Sequence, residues 1–268
     1  MLFCTFVFTN SVSLHADTSS DFLPMNKYII ILSVIFAALA TVMACISWWQ
    51  IDRYPDKLWV HRCNSIEKFD EMHERYPSVE VDLIFQREGY FDVTHDQENS
   101  IGLRLDSFFE KIKGETGHMW LDVKNISATN CNHALSVLNS LTSTHHIDKI
   151  RLIVESPDTA ALSAFHKAGY YTSWYVVSEN PANLSDDEIE QNIREMRRVV
   201  DNGSVSALSF PGWWYPEISK RLDRNIDLLT WKENSSQFKF FINPKNYKML
   251  YDPQVKVILV KDLGHFHR

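Results

Sequence analysis

LWVHR at residues 58–62, VEVDLIF at 79–85, FDVTHD at 91–96 and MWLDVK at 119–124 each join an apolar run to charged side chains. The apolar parts are rich in β-branched and aromatic residues, which is typical of buried β-strands. The charged residues lie inside these runs or directly after them. Because parallel strands of a barrel end on one rim, we expect these charged side chains to converge there.

The chain from Leu58 onward alternates strand patterns with helix patterns. Eight strands with intervening helices predict an α/β fold, a (β/α)8 TIM barrel, in preference to an open sheet. The predicted strands are 58–62, 78–85, 119–123, 150–155, 170–177, 205–210, 226–231 and 255–260, with 89–94 as a partner or extension of the second. The predicted helices are 66–76, 105–112, 128–143, 158–168, 185–200, 216–222 and 246–251.

The size and composition of the chain suit one sizeable domain with a full core. The sequence has 268 residues, of which 45% are hydrophobic, and its formal net charge is −7. Such an acidic chain is a poor candidate for binding nucleic acid, which needs a basic surface. A phosphate-bearing substrate would instead need local cations, and Arg62 and Lys124 are placed to supply them.

Residues 28–49 form the longest apolar run, without a charged residue between Lys27 and Asp52. Roughly 20 apolar residues are enough to cross a bilayer, so an N-terminal membrane segment is expected to precede the barrel. We divide the chain into a leader at 1–24, a membrane segment at 25–50 and the barrel at 51–268. Met25 is the expected native start, because residues 1–24 carry no recognisable pattern.

Two kinds of membrane attachment fit this segment. Residues 28–49 can act as an uncleaved signal anchor, with Trp48 and Trp49 at the interface. Alternatively, residues 42–45 (VMAC) match a bacterial lipobox, in which Cys45 would be lipidated after cleavage. Both place the globular domain at a membrane surface, outside the cytoplasm.

The carboxylates in the four segments have the chemistry of a divalent-metal site. Glu80 and Asp82 are two residues apart on a strand, so their side chains share one face. Neighbouring carboxylates repel each other unless a cation lies between them. Asp122 ends the next strand and completes a set of oxygen ligands suited to Mg²⁺ or Ca²⁺.

The remaining charged residues suit phosphodiester chemistry. His61 and His95 titrate near neutral pH and can act as general acid and base. Arg62 and Lys124 can hold non-bridging phosphate oxygens. Cys63 is more readily explained as a small buried residue than as a nucleophile.

The substrate pocket is expected to draw on residues near the ends of later strands. Glu155, Trp231 and Trp174 fall near predicted carboxyl ends. Glu155 and Trp231 are our candidates for substrate binding, although a core role is equally open for the two tryptophans. The sequence leaves open whether Cys63 pairs with Cys131, and it does not specify the oligomeric state.

The order His61-Arg62, Glu80-x-Asp82, His95-Asp96 and Asp122-x-Lys124 resembles the glycerophosphodiester phosphodiesterases and their relatives, which include the sphingomyelinase D-type phospholipases. The resemblance covers most of residues 58–260. It implies a TIM barrel in which the glutamate, the aspartate two residues on and the later acid bind a divalent metal. It also implies that the two histidines act as acid and base.

The sequence departs from this family pattern in several places. Cys63 stands where glycine normally follows the His-Arg pair, and the third acid is Asp122 where many diesterases have glutamate. Residues 97–118 are too few for the inserted domain that many diesterases carry. The compact form, together with residues 59–65, is also similar to the menorin family.

The leading hypothesis is a membrane-anchored, metal-dependent phosphodiester hydrolase for a glycerophosphodiester, a lysophospholipid or a polymeric glycerol phosphate. The alternative is a catalytically silent barrel that acts as a surface binding module. A third hypothesis is a glycosidase-like barrel that uses Glu80 and Glu155 as acid and base, but it leaves His61, His95 and Lys124 without a role.

Overall fold

A computed structural model describes residues 23–236 and 243–262. Its contacts divide the chain into two units, one up to Val42 and one from Met43 onward. Helix α1, Leu23–Arg53, contains the stretch Lys27–Ile46, whose mean hydropathy is 2.9 and which is unburied. By length and composition this stretch is able to cross a bilayer.

The second unit is built on a closed barrel of eight parallel strands, as the sequence predicts. The strands are β1 Leu58–Val60, β2 Val79–Gln86, β3 Tyr90–Val93, β4 Met119–Val123, β5 Leu152–Ser156, β6 Tyr171–Tyr175, β7 Ala207–Pro211, β8 Asp227–Ser236 and β9 Val255–Lys261. Neighbouring strands of the barrel pair in the order β1-β2-β4-β5-β6-β7-β8-β9, and β9 returns to β1.

Strand β3 is the exception to the parallel arrangement. It folds back antiparallel on the second half of β2, through a turn in which Gly89 has a φ of +84°. A side chain at Gly89 would be strained by this backbone conformation and would meet the ring of His133 at 2.9 Å. The hairpin therefore extends beyond the barrel rim and delivers the segment that follows β3, including His95, to that rim.

The helices cover the outside of the barrel with apolar faces at helical spacing. In α6, for example, Ile189, Ile193 and Met196 are buried, and Ser185 and Glu188 close a capping box at its start. The helices after α1 are α2 Ile66–Met72, α3 Leu105–Ile112, α4 Cys131–Thr144, α5 Thr159–Lys167, α6 Asp186–Asp201, α7 Tyr215–Arg221 and α8 Pro244–Tyr251.

Two apolar clusters pack the second unit. The larger one lies between strands and helices, and a smaller one, built only from strand residues, fills the barrel interior. The interior cluster consists of Trp59, Trp120, Ile153, Ala207, Leu229, Val257 and Leu259, with Tyr171 and Trp231 against it. Because side chains alternate along a strand, the inward positions nearer the carboxyl ends lie above this cluster, at the rim.

Many element boundaries differ from the prediction by one to three residues, and two differ by more. Helix α2 ends at Met72 and not at residue 76, and a turn follows in which the backbone N–H groups of Arg75 and Tyr76 both donate to Met72 O. Tyr76 itself precedes Pro77, and a residue before proline is disfavoured in a helix. Strand β8 runs to Ser236, five residues beyond the predicted end at 231, because its pairing with β9 resumes after an irregularity.

Candidate active site

Four carboxylates reach the interior from three neighbouring strands. Glu80 and Asp82 on β2 are each only 1% exposed, and strand alternation puts both on the inner face. The pairing register sets Asp82 opposite Asp122 on β4, and Asp122 opposite Glu155 on β5. The fold thus gathers acids that are up to 75 residues apart in the sequence.

The first three carboxylates form a compact cluster. Glu80, Asp82 and Asp122 each offer an oxygen atom within 4.8 Å of those of the other two. Burial, and then the charges of Asp82 and Asp122, raise the pKa of Glu80 well above its usual value. Within the described part of the chain, Glu80 Oε1 has no hydrogen-bond partner. A buried carboxylate oxygen that accepts no hydrogen bond, and that lies near two further carboxylates, fits a ligand of a divalent cation.

Lys124 is the cation that holds this cluster together in the structure. Its Nζ lies 2.7 Å from Asp82 Oδ1 and also forms a close ion pair with Asp122 Oδ2. Burial alone would lower the pKa of Lys124, but the carboxylates of Asp122 and Asp82 raise it. The same ammonium lowers the pKa of Asp82 against the effect of burial. Lys124 therefore stays charged and offsets part of the repulsion in the cluster.

His61 and Arg62 follow β1 and lie beside the cluster. His61 Nε2 is 3.7 Å from Glu80 Oε2, and burial lowers the pKa of His61 to about 3. Arg62 has a φ of +56°, and this left-handed conformation directs its backbone N–H to Glu80 Oε2 at 2.5 Å. The Arg62 guanidinium Nε lies 3.8 Å from Asp82 Oδ2. His61 therefore lies beside Glu80, and Arg62 contacts both Glu80 and Asp82.

Two residues that the sequence analysis did not place in the site fix this arrangement. Asn64 Nδ2 donates to Asp82 Oδ2 at 2.7 Å, and the backbone N–H of Asp82 donates to Asn64 Oδ1 at 2.9 Å. Lys68 Nζ donates to the carbonyl oxygens of His61 and Arg62 at 3.0 and 2.9 Å. A sequence signal did exist for Lys68, since it lies on the buried face of α2 beside Phe69, where lysine is unusual.

His95 reaches the rim by way of the β2–β3 hairpin. It is 44% exposed, and its Nδ1 lies 3.4 Å from Asp96 Oδ2. Asp96 also caps the short helical turn that follows, Gln97–Asn99. His61 and His95 therefore enter the site from separate elements, and their side chains are 14% and 44% exposed.

A cavity of about 540 Å³ opens at this rim, within the usual range of small-molecule sites. Among the residues predicted from sequence, all but Asp82 line it, and Asp82 lies behind Lys124 in the acid cluster. Trp174, which the sequence left open between the pocket and the core, does not line the cavity. It packs against the outer core, and its indole N–H donates to Pro157 O. The lining residues predicted from sequence are His61, Arg62, Glu80, His95, Asp122, Lys124, Glu155 and Trp231.

The cavity has further walls that the sequence did not reveal. Trp120, Tyr175 and Lys261 line it as well. The rings of Tyr175 and Trp231 stack with centroids 5.3 Å apart and an angle of 10°, and Trp120 meets Trp231 edge to face at 6.4 Å. Trp120 could have been found from its position two residues before Asp122, on the same strand face.

Cys63 is a buried structural residue, which was the favoured interpretation of the sequence. It is fully buried, and its backbone N–H donates to Glu80 O at 2.7 Å. Burial raises the pKa of the Cys63 thiol to about 12, so the nucleophilic thiolate is disfavoured. Cys63 and Cys131 are both free and do not pair.

No family model matches the sequence, and no curated protein matches it significantly. Solved structures do match. A glycerophosphodiester phosphodiesterase from Parabacteroides distasonis has 15% identity and a TM-score of 0.53, covering 78% of this chain and 93% of its own. An Oleispira antarctica phosphodiesterase, solved in complex with the product sn-glycerol-3-phosphate, has 12% identity and a TM-score of 0.51, covering 76% and 92%. At these identities the similarity establishes a shared fold, which confirms the fold expected from the sequence resemblance.

Proposed function

We propose that this chain is a metal-dependent phosphodiester hydrolase of the glycerophosphodiester phosphodiesterase type. One observation carries the proposal: the acid cluster of Glu80, Asp82 and Asp122 meets His61 and Lys124 in a cavity at the carboxyl-terminal rim of the barrel. This rim is where TIM-barrel enzymes place their active sites. The shared fold of solved phosphodiesterases supports the same reading.

Glu80, Asp82 and Asp122 are the proposed ligands of a divalent cation, Mg²⁺ or Ca²⁺. Their donor set is all oxygen, and the partnerless Glu80 Oε1 fits a cation in the cluster. When bound, such an ion supplies Lewis-acid stabilisation of charge on the phosphoryl oxygens. Lys124 and Arg62 add hydrogen-bond donors for the non-bridging oxygens.

His61 and His95 are the proposed acid and base. Attack of an oxygen nucleophile on phosphorus forms one P–O bond while the bond to the leaving oxygen breaks. One histidine takes the proton of the nucleophile, and the other gives a proton to the leaving alkoxide, so charge is balanced. The nucleophile is water or a neighbouring hydroxyl of the substrate, and a hydroxyl would give a cyclic phosphate.

The proposed substrate is a glycerophosphodiester or a lysophospholipid-type diester, with Glu155 and Trp231 binding the part beyond the phosphate.

We propose that residues 25–50 anchor the domain of residues 51–268 at a membrane, on the extracytoplasmic side, after a leader at 1–24. The apolar stretch Lys27–Ile46 supports the anchor. Small-molecule or lipid diesters, and no nucleic acid, are therefore the proposed partners.

One observation favours the second candidate function, a silent binding module. Lys124 Nζ already pairs with both Asp82 and Asp122, so part of the cluster is neutralised without a metal ion. A binding module would keep this arrangement and would gain nothing from added cations.

The test is turnover by the full chain in detergent, on glycerophosphodiesters and lysophospholipids, with Mg²⁺, Ca²⁺ or EDTA. We expect metal-dependent release of phosphomonoester or cyclic phosphate, lost in His61→Ala and in Asp82→Asn. His166→Ala and Asp227→Asn are the matched controls, since both residues lie at the opposite, amino-terminal end of the barrel. Turnover that survives both site substitutions, or a folded chain that neither binds metal nor turns over a diester, contradicts the proposal.

A further inference from the structure

The proposed reaction leaves one cation of the cavity without a role. Lys261 is the last residue of β9 and lines the cavity at the carboxyl-terminal rim. Leu259, two residues earlier, belongs to the apolar cluster inside the barrel, so strand alternation puts Lys261 on the same inner face and nearer the rim. Lys261 is half-buried there. Its position therefore brings an ammonium group into the site.

The other two cations of the cavity already face carboxylates. Lys124 pairs with Asp82 and Asp122, and the guanidinium Nε of Arg62 lies 3.8 Å from Asp82 Oδ2. Lys261, by contrast, forms no ion pair among the side chains that the structure describes. Its ammonium is therefore available to an anionic ligand.

Asp262, the acid next to Lys261 in the sequence, is held outside the cavity. Its Oδ2 accepts from Arg75 Nη1 at 2.8 Å and from Tyr76 OH at 3.3 Å. Tyr76 belongs to the larger core cluster, between strands and helices. Asp262 thus ties the end of β9 to the segment that follows α2, while Lys261 faces the cavity.

The charges of the cavity are divided between its two sides. The acids come from β2, β4 and β5, whereas Lys261 comes from β9, which pairs with β1 and so lies next to His61. Three strands separate β9 from β5 in either direction round the barrel, so Lys261 lies across the cavity from Glu155. A diester whose phosphate is held at the acid cluster can therefore extend one of its alcohol groups toward Lys261.

The chemistry of this ammonium selects the charge of the group beside it. An ammonium has three N–H donors and no acceptor, so carboxylate and phosphate oxygens are its strongest hydrogen-bond partners. A cationic group such as a quaternary ammonium is repelled instead. Trp231, which pairs with Leu259 across β8 and β9, stacks on Tyr175 with ring centroids 5.3 Å apart. These rings offer apolar surface to the carbon chain that joins the two anionic groups of such a ligand.

We infer that Lys261 is a specificity-determining residue, which selects a phosphodiester whose alcohol carries a second oxyanion, either a carboxylate or a further phosphate. The inference rests on the proposed function and narrows its substrate class to diesters with an anionic group beyond the phosphodiester. Its physical basis is a cavity cation without an acid partner among the described side chains, on the side of the cavity away from the acids.

The test is a binding titration with two matched pairs of ligands. The full-length His61→Ala chain in detergent, with Ca²⁺, is titrated by calorimetry with glycerophosphoserine and glycerophosphoethanolamine, which differ by one carboxylate. The second pair is glycerophosphoglycerol with and without a terminal phosphate. We expect the anionic member of at least one pair to bind about tenfold more tightly, and added salt to reduce this ratio. The pair that responds identifies the oxyanion as a carboxylate or a phosphate.

The variants change one charge at a time. Lys261→Met should bring the ratio of the two affinities to about one, and Lys261→Glu should make the anionic member the weaker ligand. Lys261→Arg keeps the charge and should keep most of the preference, which provides a readout if the methionine variant folds poorly. Lys256→Met is the matched control, because Lys256 lies on the same strand with its ammonium 3.7 Å from Asp227, at the amino-terminal end of the barrel. It should leave the ratio intact.

Equal affinities within both pairs overturn the inference. A ratio that Lys261→Met leaves unchanged overturns it as well, because the second anion would then bind elsewhere, or Lys261 would hold the phosphodiester that both ligands share. These failures differ from failure of the proposed function, which would appear as a wild-type chain without metal-dependent turnover of any diester. A chain that turns over both members of each pair equally would keep the function and lose the anion subsite.

Discussion

Lys124 sets the electrostatic balance of the site at the level of single side chains. Asp82 is 1% exposed and Asp122 is 17% exposed, and both depend on the Lys124 ammonium for compensation. A divalent cation in the same cluster would take over part of this role, because it neutralises the same carboxylates. Lys124 and the metal are therefore expected to substitute for each other in stabilising the fold.

We expect Lys124→Met to lower the free energy of unfolding by roughly 3 kcal/mol, the low end for a broken buried pair, because the Lys124 side chain is 28% exposed. Added Ca²⁺ or Mg²⁺ should raise the Tm of this variant more than that of the wild type. Thermal unfolding by circular dichroism, with cation or with EDTA, measures both effects. Lys256→Met is the control, since Lys256 faces Asp227 at 3.7 Å on the surface. If added cation raises the Tm of Lys124→Met no more than that of the wild type, then Lys124 and the metal do not substitute for each other.

The left-handed backbone conformation of Arg62 positions a hydrogen-bond donor in the site. Its φ of +56° is costly for a residue with a Cβ atom, but it brings the N–H to Glu80 Oε2. We expect Arg62→Gly to be more stable than Arg62→Ala by about 1 kcal/mol, because glycine adopts this conformation freely. Both lose the guanidinium, so both should lose turnover alike. Urea unfolding of the two variants compares their stabilities, and an alanine variant as stable as the glycine variant argues against strain at this position.

At the scale of elements, helix α2 braces the end of β1. Lys68 projects from the buried face of α2 and donates to both carbonyl oxygens of the His61-Arg62 pair. These two bonds fix the turn that carries one histidine and one N–H donor to Glu80. Lys68 is thus a positioning residue, because it acts on the site through the backbone of its neighbours.

We expect Lys68→Met to weaken Ca²⁺ or Mg²⁺ binding by about tenfold and to lower kcat more than it raises KM, the size of effect seen when groups that orient metal ligands are removed. Lys68→Arg should recover part of both, since it keeps the donor and the charge. Calorimetric metal titration and steady-state kinetics provide the readouts. Lys111→Met serves as the control: Lys111 lies on the neighbouring helix α3, and the change removes its surface pair with Asp70 of α2. Unchanged metal affinity in Lys68→Met would limit Lys68 to a role in stability.

The elements that the sequence predicted well are those whose signals are local. Alternating strands, helix caps and polar residues at strand ends each depend on a few neighbouring residues, and they predicted the barrel. Placement of the cavity walls depends on pairing across the barrel, which local patterns do not contain. Trp120 and Trp231 meet from β4 and β8, more than 100 residues apart in the sequence, so no local pattern could bring them together.

At the scale of the whole molecule, the apolar residues that pack the barrel and the charged residues of the candidate site lie at different heights along the barrel axis. An apolar cluster of strand residues fills the interior, and the charged residues occupy the inward positions at the carboxyl-terminal rim. The Glu80, Asp82 and Glu155 carboxyls are nonetheless almost fully buried, which is costly unless a partner compensates them. The stability of the second unit is therefore expected to depend on what occupies the rim.

The N-terminal helix bears on the proposed attachment of the chain to a membrane. The stretch Lys27–Ile46 is 20 residues long, unburied and without an internal charge, so it satisfies the length of a bilayer span by itself. Lipidation at Cys45 would be an alternative that replaces this span, because cleavage before the cysteine removes it. We favour the span, since it needs no processing to reach the membrane.

We therefore expect the wild type and Cys45→Ser to have the same full length, and both to stay in the membrane fraction after alkaline carbonate extraction. The double substitution Ile35→Arg with Leu39→Arg should release the chain, because each arginine at the centre of a span costs roughly 3 kcal/mol. Immunoblotting of the membrane and soluble fractions measures both variants, with the wild type as reference. A wild-type chain that is shorter than Cys45→Ser would instead assign attachment to a lipid on Cys45, because lipidation goes with cleavage before that residue and the variant could not be cleaved. Retention of the double variant would place the attachment outside this stretch, since charge at its centre opposes insertion whichever way the helix is oriented.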